Sequence, residues 1–463
     1  MFGWCYNYKL LGEFMDYLKY LIEDIKINEK YKTLDDLIAD DDILELIDNE
    51  DWEELNRIIP KELILNFIHV VQEGLGINLI GRDKLFNSII PEEYFKNAEL
   101  PDRVAIPNGI KKIGESAFFE CKSLKNVIIP TSVTSIEGYA FAYCESLKSI
   151  TLPDSVTSIG EVAFSYCSSL TSIVISDSVT SIEDYAFSYC SSLTSIVIPD
   201  SVTSIERGAF YGCSSLTSII VPNSVTSIGS FAFSRCSSLT SIVIPDSVTS
   251  IMSYAFSGCT SLTSIVIPDS VISIGVQAFY ECTSLTSVTL ENGVTSIGDN
   301  AFYGCSSLTS VTLGNGVTSI GKSAFSFCSS LTSIVIPDSV TSIGKSAFQH
   351  CTSLTSVKMG NGVTSIGDNA FFDCYYLKSI TIGNGVTSIG EYAFSDCTSL
   401  TSIVIPDSVI SIGGSAFTRC KSLKKINYSG TMTEWENNIT KHKDWNDRSN
   451  VSEVICTDGT IQL

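Results

Sequence analysis

The chain has 463 residues, 44% of them apolar, and a net charge of −22. That apolar share suits a folded protein rather than a disordered one. The charge argues against a nucleic-acid partner held through its phosphates, and no apolar run is long enough for a helix to cross a membrane, so no membrane insertion is expected.

The acidity is uneven. The first 100 residues hold 22 Asp/Glu against 10 Lys/Arg, a net of −12. The N-terminus is aromatic rather than basic, and Glu13, Asp16 and Lys19 interrupt the next segment, so a signal-peptide core is lacking. The expected location is cytoplasmic, or outside the cell with a viral particle released by lysis. Leu11, Phe14, Leu18, Leu21, Ile22 and Ile25 fall on one face of a helix. Thr33 and Asp36 resemble a capping box that starts a second helix. Asp51 to Glu54 opens a third, and Glu62 to Glu73 reads as a fourth, ended by Gly74 and Gly76. Residues 1–100 therefore read as a small all-α head. Pro91 to Phe95 reads as its last helical turn, before a strand at Val104 to Ile106.

Residues 101–425 are a repeat array. Fourteen cysteines recur every 23 residues from Cys121 to Cys420, and every copy keeps an Ala-Phe pair, from Ala117-Phe118 to Ala416-Phe417. A fixed period without insertions means one supersecondary unit stacked on itself. In the coil from Leu170 to Cys190, Ile173 and Ile175 alternate with Ser172 and Val174, so a short strand points the two isoleucines inward. A turn comes next, Pro-Asp-Ser in most copies. Val179 and Ile182 make a second inward edge. Ala186 and Phe187 then enter the core on what is expected to be one helical turn, and Cys190 closes the coil. Phe164, Phe187 and Phe210 should stack in a ladder, as should Cys167, Cys190 and Cys213. Four later copies use Asn-Gly in the first turn, at Asn292, Asn315, Asn361 and Asn384, which favours positive φ angles.

The cysteines read as buried free thiols. Equivalent residues on adjacent coils lie about 4.8 Å apart with parallel Cβ vectors, whereas a disulfide needs Cβ atoms about 3.8 Å apart and turned toward each other. Zinc sites use close cysteine pairs, and no Cys-x-x-Cys occurs.

The iterated Leu-x-x-Ile-x-Ile-Pro-x-x-Val-x-x-Ile-x-x-x-Ala-Phe-x-x-Cys pattern resembles the 23-residue leucine-rich repeats of the BspA-like class. The resemblance covers about 104–425. It implies a repeat solenoid, a right-handed leucine-rich-repeat superhelix of short parallel β-strands with short helical turns. The family occurs in bacteria, mucosal protists and phage genomes, and its characterised members are linked to surface attachment and protein binding. Residues 426–463 resemble the ending of many such proteins. They read as a C-terminal cap that completes the chain, with a β-hairpin turning at Asp458-Gly459 and Trp435 covering the last coil.

Catalytic chemistry finds little footing. The three histidines, His69, His350 and His442, occur separately in head, array and tail. His69 reads as packed in an apolar helix and His350 as a surface variation. No phosphate loop, His-Glu-x-x-His or Gly-x-Ser-x-Gly appears. Asp154, Asp200, Asp246, Asp269, Asp338 and Asp407 share a turn position, but each would supply one ligand to a cation and the row is interrupted. No metal or cofactor is expected. The variable columns flank Ala-Phe. Tyr143, Tyr166 and Tyr189 fill one column in successive coils, and Tyr139 and Tyr185 decorate the adjacent one. Aromatic rows bury large area at low entropy cost. The reading is a non-enzymatic scaffold that recognises or attaches to a protein or glycan through these tyrosines. The alternatives are a structural spacer anchored by its head in an assembly such as a phage particle, and an enzyme with its active site in the head.

Overall fold

The computed structural model describes residues 89–463, except Pro101 and Pro107. The four helices expected before residue 89 lie outside the described residues. The chain divides into two compact units, Met1–Val202 and Thr203–Leu463, and the described residues of each form a parallel β-solenoid.

In the first unit, two-residue strands pair in parallel from Ile89–Ile90 through Lys112–Ile113, Ser135–Ile136 and Ser158–Ile159 to Ser181–Ile182. Every partner is 23 residues on, as in Ile90 with Ile113 and Ile159 with Ile182. A second sheet, Arg103–Ala105, Asn126–Ile128, Ser149–Thr151 and Ser172–Val174, keeps the same register. Residues 89–100, counted with the head on sequence, already form a coil. Ile89–Ile90 pairs with Lys112–Ile113, and Phe95 stacks on Phe118 at 5.1 Å. The missing cysteine and Ala-Phe pair conceal this coil in the sequence.

In the second unit the two-residue strands run from Ser204–Ile205 to Ser411–Ile412 in the same register. The last step lengthens, and Ser411 pairs with Thr440. The longer strands end with Lys425–Tyr428 beside Glu453–Cys456, and a two-residue turn at Thr457-Asp458, one position before the expected Asp458-Gly459, leads into the antiparallel strand Gly459–Gln462, where Gly459 pairs with Cys456. Helix is confined, among the described residues, to α1 (Met432–Asn437). Thr431 caps it in a capping box with Glu434. The last ring of the phenylalanine ladder, Phe417, meets Trp445 edge-on at 5.9 Å, and Trp435 lies behind Trp445 at 5.8 Å. Trp445 covers the ladder, and Trp435, expected to cover the last coil, is buried against Tyr428 of that coil at 5.2 Å.

The Ala-Phe segment is not helical. Around Phe141 the backbone makes successive tight turns, with Ala142 N–H donating to Tyr139 O and Cys144 N–H to Phe141 O. The alternate amides leave the coil. Tyr139, Phe141 and Tyr143 N–H donate to Glu161, Ala163 and Ser165 O of the next coil, at 2.8–2.9 Å. A helix would spend those amides within its own turn. The exchange requires left-handed backbone at two positions per coil. Tyr139, Tyr143, Tyr166, Tyr185 and Tyr189 all have φ between 55° and 60°. Non-glycine residues adopt that region reluctantly, and the bonds between coils hold them there. Two of the four variable columns that flank Ala-Phe, the one just before Ala and the second after Phe, are thus left-handed.

The Asn-Gly turns depart from the sequence expectation in another way. Gly293, Gly316, Gly362 and Gly385 are not left-handed; a Cβ on each would meet a carbonyl oxygen of the preceding coil at 1.7–2.1 Å. Glycine is needed there for close approach. The asparagines latch successive turns, as Asn292 Oδ1 accepts from Asn315 N–H at 2.9 Å.

The core is one repeated layer. Phe118, Phe141, Phe164 and Phe187 stack at 5.0–5.5 Å in the first unit, and Phe210 opens an equivalent ladder in the second. All are fully buried. Replacing Phe256 by Ala should cost about 3–5 kcal/mol. Chemical denaturation of the full chain checks this; a loss below about 1 kcal/mol would contradict the ladder's role.

Candidate functional site

Three side-chain rows reach the surface or stop just beneath it. The first is the tyrosine row. Tyr143 and Tyr166 stack with centroids 4.5 Å apart, and Tyr166 and Tyr189 at 4.4 Å. Phe119 leans on Tyr143 at 5.4 Å. Both faces of Tyr166 are therefore covered by neighbouring rings. Tyr139 and Tyr185 do not extend this stack. They share the other left-handed column, with Val162 between them. All five rings are half-buried.

The second row is the cysteine ladder. Cys167 and Cys190 are buried in the first unit and Cys213 in the second, and all three are free thiols. Cys167 Sγ lies 3.2 Å from Phe141 O of the preceding coil, and Cys190 Sγ lies 3.2 Å from Phe164 O. Each thiol donates weakly to a carbonyl that would otherwise depend on one amide. Burial pushes the Cys121, Cys282 and Cys420 thiols up to about 12. Neutral, enclosed thiols are poor nucleophiles and poor metal ligands.

The third row escaped the sequence reading. On the longer strands Ile128, Val174 and Val197 point outward in the first unit, and Ile220, Val243, Val266, Val335 and Val404 in the second. Val197 is 71% exposed and Val243 79%. Ser-Ile-Val-Ile already carried the signal, since alternation that sends both isoleucines inward must send the valine out. Exposed serines accompany it, Ser195 and Ser241 among them.

His350, read from sequence as a surface variation, belongs to a paired column. Its Nδ1 lies 3.0 Å from Asp373 Oδ2, and its ring packs on Phe327 at 4.4 Å. Arg419 reaches Asp396 at 3.5 Å. Burial holds the Asp373 carboxyl above the usual carboxylate range, opposed by His350 and reinforced by Asp396. Among the described residues no group of His, Cys, Asp and Glu is arranged to hold a metal, and no helix is long and apolar enough to cross a membrane.

The family model for the BspA type leucine rich repeat region, six copies per match, fits residues 88–217, 203–332 and 318–444. The chain belongs to the BspA-type leucine-rich-repeat family. A leucine-rich repeat protein from Bacteroides ovatus is 36% identical over 69% of this chain and 82% of its own, with a TM-score of 0.65. A leucine rich cell surface protein from Faecalibacterium prausnitzii is 33% identical over 74% of this chain and 91% of its own, with a TM-score of 0.43. The leucine-rich repeat protein of T. pallidum is 34% identical over 35% of this chain and 77% of its own, with a TM-score of 0.33. No curated protein matches the chain. The family is a repeat scaffold compatible with protein binding.

Ellman's reagent tests the thiol ladder. The fourteen ladder cysteines should stay unreacted at neutral pH in the native chain and react on denaturation. Rapid native labelling of Cys282 would contradict their enclosure.

Proposed function

We propose that this BspA-type solenoid is a non-enzymatic scaffold that binds protein partners. The observation that carries the reading is the outward aliphatic row. Isolated exposed apolar residues are ordinary on a surface, whereas an aligned series of them marks an interaction surface. Strands spaced about 4.8 Å apart hold these side chains in a fixed comb, which lowers the entropy cost of binding.

Tyr143, Tyr166 and Tyr189, with Tyr139 and Tyr185 in the neighbouring column, supply a second contact edge. Their stacking favours a protein over a glycan there. A sugar ring packs on an open aromatic face, and both faces of Tyr166 are occupied. What the stack offers is ring edges and hydroxyls, suited to hydrogen bonds from a polypeptide.

Two substitution sets test this reading. Ile220→Ser, Val243→Ser and Val266→Ser together should leave stability within about 0.5 kcal/mol per site and weaken capture of the partner recovered by the intact chain at least about tenfold. Retention of that partner by the triple variant contradicts the reading. Tyr143→Phe, Tyr166→Phe and Tyr189→Phe preserve the stack and remove three hydroxyls. Partner affinity measured by calorimetry should fall by about 0.5–1.5 kcal/mol per hydrogen bond lost; unchanged affinity removes the tyrosine edge from the interface.

A further inference from the structure

The charges around the aliphatic row are one-sided. Between residues 149 and 321 the sequence has twelve Asp/Glu, no Lys, and two cations, Arg207 and Arg235. Both arginines sit at the Ala-Phe turns and lie over aromatic rings, Arg207 on Phe231 and Arg235 on Tyr211, each at 5.6 Å. Neither belongs to the strand face. The ion pairs that join neighbouring coils lie elsewhere, as with Lys112–Glu137 and Lys122–Glu145 in the first unit and Arg419–Asp396 in the second.

The acids nearest the row are placed by the turn. In the first unit Asp177 and Asp200 each come three residues after an outward valine, Val174 and Val197, and all four are exposed. The second unit repeats this with Val243 and Asp246, and with Val266 and Asp269. The coils of Val174, Val197, Val243 and Val266 thus each present, in order, an exposed serine, an exposed valine and an exposed carboxylate, whereas the coil of Ile220 carries Asn223 in the aspartate position. Among the described residues no Lys or Arg forms an ion pair with these four aspartates. Like charges repeated coil upon coil repel, and an opposite charge relieves that repulsion.

Resting on the reading that the strand face is the recognition surface, we propose that its partner is a cationic amphipathic polypeptide segment. Apolar side chains of such a segment pack on the outward aliphatic residues within a unit, and its Lys or Arg side chains meet the carboxylates beside them, Asp177 and Asp200 in the first unit or Asp246 and Asp269 in the second. An acidic or neutral apolar partner would bury or crowd these carboxylates without compensation.

Fluorescence anisotropy on the full chain tests this with two labelled peptides, one of alternating Lys and Val and one of alternating Glu and Val. The Lys-Val peptide should bind at least about tenfold more tightly, a difference of about 1.4 kcal/mol, and added salt should weaken it. Asp177→Asn, Asp200→Asn, Asp246→Asn and Asp269→Asn together remove four charges and keep a side-chain carbonyl at each position, including the one that at Asp269 accepts from Gly293 N–H at 3.1 Å. This variant should lose the preference. Removing the same number of charges from the Ala-Phe side, by Glu161→Gln, Glu183→Gln, Glu206→Gln and Glu281→Gln, should retain it. Equal loss in both variants overturns the assignment to the aspartate row, as does a Glu-Val peptide binding as tightly as Lys-Val. If the Ile220/Val243/Val266→Ser variant abolishes binding of both peptides in that last case, the strand-face reading stands and only the charge inference falls. Lys-Val binding that survives Val174→Ser and Val197→Ser added to these three serine substitutions overturns the strand-face reading itself.

Discussion

The amide of each core phenylalanine leaves its own coil. Phe118 N–H bonds Ala140 O, and Phe233 N–H bonds Ala255 O, in each case at 2.8 Å. This bond fixes the 23-residue register, because the carbonyl comes from the alanine just before the equivalent phenylalanine one period on. The ring then lands on the next ring, the thiol below reaches the preceding phenylalanine carbonyl, and the flanking residues are driven into left-handed backbone. An isolated coil has none of these partners. Coil and stack therefore form together, as in other quasi-one-dimensional folds.

Much of this was legible because repetition makes a column out of a single residue. The spacing of Cys121 to Cys420 and the unbroken Ala-Phe pairs disclosed period, stacking and buried thiols. The local conformation of the Ala-Phe segment was not legible. Short apolar pairs fit a helical turn and a run of tight turns equally well, and bonding to the next coil decides between them. The early coil at residues 89–100 was hidden because Phe95 keeps the ring but comes after Tyr94 rather than alanine. Asn-Gly misled for a related reason. Its usual preference for positive φ is a property of isolated hairpins, whereas here the crowding of neighbouring turns selects glycine.

The candidate site divides similarly. Tyr143, Tyr166 and Tyr189 were legible as a row, since equal columns must align. Their mutual coverage was not, and it changes what they can bind: a stack that consumes its own faces offers edges. The aliphatic row was written in every Ser-Ile-Val-Ile copy, where the valine alternates with the inward isoleucines, but it was not read as a surface. His350 became intelligible only through Asp373 in the next coil. Sequence variability proved a guide to backbone strain as much as to recognition, because two of the variable columns are left-handed and need no large inward side chain.

The strand face joins fold to function. The register that buries isoleucine on one side of each strand lines up valine and serine on the other, and the turn that reverses the chain sets a carboxylate beside them. Native-state hydrogen exchange tests the shared cause most directly. The amides of Phe118, Phe141, Phe233, Phe256 and their equivalents should be among the slowest to exchange, protected together with those of the left-handed residues beside them. Exchange of these amides at rates near those of an unfolded chain, while the strand amides stay protected, would contradict the bond between successive phenylalanine turns on which the account rests.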